Sequence, residues 1–181
     1  MFLKIKPIRK KLKSIRLVVL DVDGVLTDGQ IYIDSNGNEI KKFNVKDGLG
    51  IKLMQESNIE IALVSGGSPK SAIHRADKLK IKNCFFEVKD KKNIVIKLIK
   101  KMKLDKDQVL YVGDDLNDLC VKNVVGIFAT PQDATKIVKN QADFVLSKNG
   151  GDGAIREIAE LLLKDKQNYK KILIDGWINK N

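Results

Sequence analysis

The stretch that most constrains the fold of this 181-residue chain is residues 17–24. Four consecutive apolar residues, LVVL at 17–20, predict a strand buried on both faces, as strands of a parallel sheet are. Two carboxylates, Asp21 and Asp23, follow the strand and precede Gly24. Because parallel strands deliver ligand-facing groups just past their carboxyl ends, we expect this acidic pair at the rim of an α/β sheet. The alternative is an ordinary polar turn, which Asp and Gly often form.

The rest of the chain alternates between strand and helix patterns at short spacing. Strands are predicted at 59–64, 84–86, 109–112, 124–129 and 143–145, and helices from 47 onward and at 70–79, 91–102, 133–139 and 154–163. This alternation predicts a doubly wound, Rossmann-like parallel sheet with right-handed crossovers, in the α/β class. Residues 30–45, with the turn cluster SNGN at their centre, predict a β-hairpin that projects from the sheet. We expect one domain over residues 1–181, with the hairpin at about 30–45 and a polar C-terminal tail at about 165–181.

Composition excludes several classes of protein. The net charge of +11 comes mostly from lysine, and aromatic residues are only 6% of the chain, which disfavours a nucleic-acid reader and favours an anionic small-molecule substrate. The lysines are expected on solvated helix faces. No apolar run is long enough to span a membrane, and the N-terminal segment lacks an apolar signal core, so a cytoplasmic location is expected. Cys84 and Cys120 are predicted to be buried free thiols.

The candidate functional residues lie where predicted strands end. Three of these ends carry polar pairs, and a lysine opens a helix: Asp21 and Asp23, Ser65 and Gly66, Asp114 and Asp115, and Lys91. In a parallel sheet these groups lie along one edge, where crowded carboxylates raise one another's pKa and are relieved by a hard cation such as Mg²⁺. A hydroxyl, a bare backbone N–H and an ammonium form a phosphate cradle. The sequence therefore predicts a phosphoryl-transfer site.

These motifs, in this order and with Asn117-Asp118 after the second acidic pair, resemble the four motifs of the haloacid dehalogenase superfamily of phosphohydrolases. The segments VDGVLTDG at 22–29, FNVKDGLG at 43–50 and GGDGAIRE at 150–157 look more closely like the 3-deoxy-D-manno-octulosonate 8-phosphate phosphatases. The resemblance covers almost the whole chain. It implies a Mg²⁺-dependent sugar-acid phosphatase of lipopolysaccharide precursor synthesis, a phosphoric monoester hydrolase that is usually a homotetramer.

The resemblance also implies roles for the acidic residues. Asp21 would be the nucleophile that forms an aspartyl-phosphate. Asp23 would be the general acid for the leaving alkoxide and then the base that activates water, and its backbone carbonyl would reach the metal. Asp21 and Asp114 would bind Mg²⁺ directly, with either Asp115 or Asp118 supporting the ion or its waters.

The resemblance implies that Ser65, Gly66 and a lysine bind the phosphate group. The spacing from the last motif favours Lys91, although the adjacent Lys92 is left open as an alternative. The family often carries arginine after the Ser/Thr-Gly pair, whereas this chain has Gly67, and this departure leaves the exact sugar open.

Three further residues are predicted to contact the substrate. Lys46 stands where arginine is common in the family, which keeps the charge and loses the bidentate fork. Asp47 is predicted either near the sugar or as a helix cap, and Arg156 either at a substrate carboxylate or at a structural acid. Trp177, in the tail, is interpreted either as a packing anchor or as a substrate lid.

Spacing leaves no room for a cap domain. Only 41 residues separate Asp23 from Ser65, most of them used by the hairpin and one helix, and 25 separate Ser65 from Lys91. Because phosphoryl transfer benefits from excluding bulk water, a neighbouring subunit is expected to cover the site, which predicts a homo-oligomer with shared active sites. Two alternatives to the octulosonate phosphatase stay open: a phosphatase of a nine-carbon, sialic acid-type 9-phosphate, and a non-catalytic binding module of the same fold.

Overall fold

A computed structural model describes residues 5–67 and 70–177. Residues 1–4, 68–69 and 178–181 lie outside the described residues, as do the ends of the predicted domain and tail that fall on them. The described strands are β1 (Leu17–Leu20), β2 (Tyr32–Ile33), β3 (Glu39–Ile40), β4 (Glu60–Val64), β5 (Asn83–Phe85), β6 (Val109–Val112), β7 (Ile127–Thr130) and β8 (Phe144–Val145). The described α-helices are α1 (Ile5–Leu12), α2 (Val45–Glu56), α3 (Lys70–Lys78), α4 (Lys91–Lys101), α5 (Lys136–Gln141), α6 (Ala154–Leu163) and α7 (Gln167–Asp175).

Six strands form one sheet in the order β5-β4-β1-β6-β7-β8, and every ladder in it is parallel. The first strand lies in the middle, where Val19 is in register with Ala62 of β4 and with Tyr111 of β6. Strand order reverses around β1, which is the point at which open α/β sheets place their ligands. The predicted doubly wound α/β fold is confirmed.

The continuous apolar run of β1 is explained by helices on both faces of the sheet. Val18 and Leu20 belong to a core cluster that includes residues of α2, α3 and α6, while Leu17 and Val19 belong to a second cluster with residues of α4 and α5. All four side chains are fully buried. A strand with one wet face would alternate apolar and polar residues, so the LVVL pattern was a sound indicator of a central strand.

The predicted hairpin is confirmed as a separate antiparallel pair of β2 and β3, which shares no ladder with the main sheet. Its turn is stabilised by Asp34, whose carboxylate accepts hydrogen bonds from the backbone N–H groups of Asn36 and Asn38, both at 2.8 Å. The hairpin projects between β1 and α2, at the edge of the sheet where β1 ends. No cap domain is present among the described residues.

Several predicted boundaries were wrong. Residues Leu116–Val124 form a 3₁₀ helix, so β7 begins three residues later than predicted. Helix α5 begins at Lys136 with Thr135 as its N-cap, not at 133, because the Asp133 carboxylate instead accepts a hydrogen bond from the N–H of Gly150 at 2.9 Å. The tail, for which no helix was predicted, contains α7, which contributes the buried ring of Tyr169 to the core.

The cysteines and the lysines were also partly misjudged. Both thiols are free, as predicted, but Cys120 is exposed and Cys84 is only half-buried. Cys120 lies on the outer side of the 3₁₀ helix that the sequence pattern had not indicated. Lys41 is buried, against the expectation that the lysines lie on solvated faces, whereas the buried Lys91 is the lysine that was predicted at the phosphate cradle.

Candidate active site

The carboxyl ends of three neighbouring strands meet at one edge of the sheet. Asp21 follows β1, Ser65 follows β4 and Asp114 lies two residues after β6. The backbone N–H of Asp21 donates to the carbonyl of Val112 at 3.0 Å, so the β1 ladder continues into the acidic motif. The strand order β4-β1-β6 thus places Asp21 between the other two polar sets.

Lys91 is inserted between two of the carboxylates. Its Nζ lies 2.9 Å from Oδ2 of Asp21 and 2.7 Å from Oδ1 of Asp118, and its side chain is 3% exposed. Burial opposes the charge of Lys91, but the two carboxylates outweigh it and hold the pKa of the ammonium above its usual value. Lys92 is exposed, so of the two lysines left open by the sequence, Lys91 is the one at the cluster.

Three carboxylates converge at this edge. Oxygens of Asp21, Asp114 and Asp118 all lie within 4.8 Å of one another. Burial raises the pKa of the Asp21 carboxyl to about 7, with Asp118 adding to the increase and Lys91 opposing it. Burial, followed by Asp21 and Asp118, raises the pKa of the Asp114 carboxyl to about 8. One lysine does not balance three acids, and an all-oxygen set with this excess negative charge fits a hard divalent cation such as Mg²⁺.

Asp118 supports the cluster through the four hydrogen bonds that its carboxylate accepts. Its Oδ1 accepts from Lys91 and from the hydroxyl of Tyr111 at 2.6 Å, while its Oδ2 accepts from the N–H groups of Asp114 at 3.0 Å and Asp115 at 3.3 Å. Each oxygen already has two donors, so Asp118 orients the loop and the lysine. The side chains of Asp21 and Asp114 are therefore the direct metal ligands that the geometry favours. Asp115 is exposed and caps the 3₁₀ helix through the N–H of Leu116.

Glycine lets the acidic loops approach each other. Gly24 has φ +74°, and a Cβ at this position would lie 2.0 Å from Oδ2 of Asp114. A Cβ at Gly150 would lie 1.8 Å from the carbonyl oxygen of Gly24, so the 150–153 loop packs its backbone directly on the turn that carries Asp23. A side chain at Gly24 would push the turn after β1 away from Asp114, and one at Gly150 would push the 150–153 loop away from that turn.

Asp23 lies outside the three-carboxylate cluster. Its side chain is 42% exposed, and its Oδ1 is bonded to the Nζ of Lys41, a buried lysine that directly follows β3. Sequence reasoning did not identify Lys41, because it had assigned lysines to solvated faces. It also missed Tyr111, although a single phenol in an otherwise aliphatic strand that precedes an acidic motif was a usable signal.

The pair predicted to bind phosphate, Ser65 and Gly66, follows β4 at the same edge of the sheet. Ser65 is fully buried, and its Oγ accepts a hydrogen bond from the N–H of Gly67 at 3.2 Å. The adjacent Gly66 is exposed, and a Cβ there would meet no atom nearer than 3.7 Å. The glycine at 67 thus orients the Ser65 hydroxyl.

The remaining predicted substrate residues are not brought to the carboxylate cluster. Asp47 is buried in α2, and its carboxylate accepts hydrogen bonds from three N–H groups at the start of α6: Gly153 at 3.1 Å, Ile155 at 2.9 Å and Arg156 at 3.0 Å. Burial raises the pKa of Asp47, and the three N–H groups oppose the rise. These contacts favour the capping alternative over contact with a sugar.

Lys46 and Arg156 line a separate surface depression of about 440 Å³ that also includes Lys148 and Glu157. The Nε of Arg156 donates to Glu160 at 2.7 Å, which is the structural-acid alternative. Trp177 packs against the core of its own chain and lines a pocket with Leu49 and Arg75, which favours the packing-anchor interpretation.

Comparisons with known proteins identify similar phosphohydrolases. Two family models described as haloacid dehalogenase-like hydrolase match residues 45–119 and 85–158. The 3-deoxy-D-manno-octulosonate 8-phosphate phosphatase of Haemophilus influenzae is 40% identical over 156 residues, which are 86% of this chain and 87% of the relative.

Two solved structures are similar in fold and sequence. The 3-deoxy-D-manno-octulosonate 8-phosphate phosphatase of Moraxella catarrhalis, in complex with magnesium, phosphate and the sugar acid KDO, has a TM-score of 0.89 and 35% identity, covering 94% of this chain and 98% of that one. The cobalt-bound phosphatase of H. influenzae has a TM-score of 0.82 and 41% identity, covering 85% and 90%.

Proposed function

The chain belongs to the 3-deoxy-D-manno-octulosonate 8-phosphate phosphatase family of haloacid dehalogenase-like hydrolases, and we propose from this premise that it hydrolyses that sugar phosphate. The products are the free sugar acid and phosphate, and Mg²⁺ is required. The observation that carries the proposal is the contact of Asp21 with Lys91 inside the cluster completed by Asp114 and Asp118. A nucleophilic carboxylate, a cation and a divalent-metal site are the parts that phosphoryl transfer needs.

In the proposed reaction the Asp21 carboxylate attacks phosphorus. The bond from phosphorus to the sugar oxygen breaks, its electron pair stays on that oxygen, and Asp23 gives the oxygen a proton. Asp23, now a carboxylate, then takes a proton from the water that hydrolyses the aspartyl-phosphate. Lys91, the Ser65 hydroxyl and the Gly66 N–H hold the phosphoryl oxygens. Asp21, Asp114 and the backbone carbonyl of Asp23 would hold Mg²⁺, which would neutralise the phosphoryl charge.

The two alternatives have weaker support. A phosphatase of a nine-carbon sugar acid shares the same chemistry, but the relatives described above act on the eight-carbon substrate. A binding module has no need of a general acid, whereas this chain keeps Asp23, two residues after Asp21, with its side chain 42% exposed. The family often carries an arginine where this chain has Gly67. The proposed mechanism assigns no role to that arginine, so its absence does not count against the proposal.

The decisive experiment is phosphate release with Mg²⁺ across a panel of eight- and nine-carbon sugar-acid phosphates. We expect the highest kcat/KM for 3-deoxy-D-manno-octulosonate 8-phosphate, by about 10-fold or more over the nine-carbon compounds, because a pocket discriminates substrates through paired polar contacts. A preference for a nine-carbon phosphate would transfer the proposal to the alternative. No release from any member of the panel would overturn it.

The metabolic role and the cellular location of the protein are part of the same proposal. A phosphatase of this sugar acid supplies a precursor of lipopolysaccharide, which we propose as its metabolic context. No described helix has both the length and the apolar character that a membrane crossing requires. The cytoplasmic location stays a prediction.

We also propose that the chain forms a homotetramer through the hairpin and that neighbouring subunits complete one another's active sites. Five large apolar side chains in and beside the hairpin are between 41% and 81% exposed: Ile31, Tyr32, Ile33, Ile40 and Val45. Tyr32 pairs with Ile40 across the strands, while Ile33 points to the opposite face, so both faces are apolar. Isolated two-stranded hairpins are marginal in water, and apolar patches of this kind mark interaction surfaces.

The substitution Ile33→Asp tests this assembly. In sedimentation, the wild-type chain is expected at four times the 20.3 kDa subunit mass, and the variant at a smaller number of subunits, because a charge would be buried in the interface. Turnover of the sugar phosphate is expected to fall more than that of a small ester. The control is Ile137→Asp, at an exposed isoleucine of α5, which should leave the mass unchanged. A monomeric wild-type protein with full activity would contradict the proposal.

A further inference from the structure

Lys41 is buried, although lysine side chains normally reach solvent. Its side chain is 3% exposed, whereas the side chain of the next residue, Lys42, is 66% exposed. An ammonium removed from water is costly unless it is paired. The partner of Lys41 is Oδ1 of Asp23, the residue to which the proposed function assigns proton transfer. The cost of burying Lys41 is therefore offset at the reaction centre.

The contact joins two distant parts of the chain. Asp23 lies on the turn after β1, whereas Lys41 directly follows β3, the return strand of the hairpin. Within the described part of the chain, Lys41 is the one side chain that bonds the Asp23 carboxylate. Lys42, which points outward, instead reaches Asp28 at 3.3 Å. The hairpin thus delivers one specific lysine to the site.

The chemistry of the pair assigns different roles to the two oxygens of Asp23. An ammonium only donates hydrogen bonds, so the Oδ1 that it bonds must act as an acceptor. The proton that Asp23 gives or takes is then confined to Oδ2. A carboxyl that is free to rotate would present either oxygen, and part of its population would be misdirected for proton transfer.

We propose that Lys41 is a positioning residue that fixes the Asp23 carboxyl so that Oδ2 carries the proton transferred in the reaction. This inference rests on the proposed function, because it needs Asp23 to be the general acid and base. It also gives the hairpin a second role, since its placement sets the orientation of the catalytic carboxyl in its own subunit.

The test compares substrates that differ in their need for a general acid. An alkyl phosphate loses a basic alkoxide that must be protonated, whereas p-nitrophenyl phosphate loses a stable phenolate. In Lys41→Met, kcat/KM is expected to fall by ~10-fold or more for the sugar-acid phosphate and for glycerol phosphate, and by less than ~3-fold for p-nitrophenyl phosphate. Lys41→Arg should restore part of the loss, and the exposed control Lys42→Met should change neither substrate class.

Other roles for Lys41 predict different outcomes. If Lys41 bound the carboxylate of the sugar acid, the loss would be confined to KM for that substrate, and glycerol phosphate would be unaffected. If Lys41 were only structural, both substrate classes would lose activity equally and the unfolding temperature would drop. Either result would overturn the proposal. Should Lys41→Met not fold, Lys41→Gln takes its place; because glutamine keeps a donor, its loss on alkyl phosphates should be smaller than that expected for Lys41→Met, with p-nitrophenyl phosphate still unaffected.

A double-mutant cycle separates this inference from the function on which it rests. Asp23→Asn alone should show the same selective loss on alkyl phosphates, and adding Lys41→Met to it should cost no more, because the two residues act as one unit. If Asp23→Asn shows no selectivity, the proposed general-acid role fails. If Asp23→Asn is selective and Lys41→Met is not, only the role of Lys41 fails.

Discussion

The substitution Asp21→Asn is expected to lower phosphate release by ~10⁴-fold or more, for the sugar phosphate and for p-nitrophenyl phosphate alike. The amide keeps the size of the side chain and removes the nucleophilic oxygen pair, so no aspartyl-phosphate forms with either substrate. Phosphate release under saturating Mg²⁺ measures the loss. The equal loss of kcat/KM on both substrates distinguishes the nucleophile from the general acid, whose removal lowers kcat/KM selectively for alkyl phosphates.

Stability serves as the internal check on this variant. Asp21 is one of three crowded carboxylates, so replacing it with a neutral amide relieves repulsion while weakening the contact to Lys91. The two effects oppose each other, and the variant should remain folded. Asp77→Asn, at an exposed aspartate of α3, is the matched control and should retain full activity. Substantial activity in Asp21→Asn would overturn the assignment of the nucleophile.

The centre of this site could be predicted from the sequence because its geometry follows from topology. An apolar run such as LVVL indicates a central parallel strand, and parallel strands bring their carboxyl ends to one edge. That rule alone predicts that Asp21, Ser65 and Asp114 lie close together. Lys91 needed in addition a helix that begins at the same edge, and the structure decided between it and Lys92 by burial.

The periphery of the site could not be predicted, because it depends on how separate elements dock. Nothing local distinguishes Lys41 from Lys42 or Lys46, and only the path of the folded hairpin inserts one of them beside Asp23. Asp47 likewise has the spacing of an ordinary helix-start residue. Its carboxylate reaches the N–H groups of α6 because α2 and α6 pack together, across more than 100 residues of chain.

Metal-free protein is expected to lose stability as the pH rises, and Mg²⁺ is expected to restore it. In the unfolded chain both Asp21 and Asp114 have a pKa near 3.8, whereas in the folded, metal-free protein burial and repulsion from neighbouring carboxylates raise these pKa values to about 7 and about 8. Between pH 4 and 8 the folded state therefore binds more protons than the unfolded state, so the free energy of unfolding falls across that window. Each pKa unit corresponds to about 1.4 kcal/mol.

The expected loss between pH 5 and 8.5 is ~3 kcal/mol, because the two titrations are coupled and do not add in full. For a chain of this length that lowers the unfolding temperature by ~5–10 °C in EDTA. Mg²⁺ should raise the unfolding temperature strongly at pH 8.5 and little at pH 5, where protons occupy the same oxygens. The Mg²⁺ concentration needed for half-maximal activity should rise for the same reason as the pH falls below 7.

The variant Asp114→Asn isolates this effect from the other groups that titrate. Without the Asp114 charge, the remaining carboxylates repel less, so the pH dependence of the metal-free protein should flatten. Its stabilisation by Mg²⁺ should largely disappear, since one of the two proposed direct ligands is lost. Thermal unfolding of both proteins, with EDTA and with Mg²⁺ across pH 5 to 8.5, gives the comparison. If the unfolding temperature changes equally with pH in the two proteins, the carboxylate cluster does not couple proton and metal binding to stability.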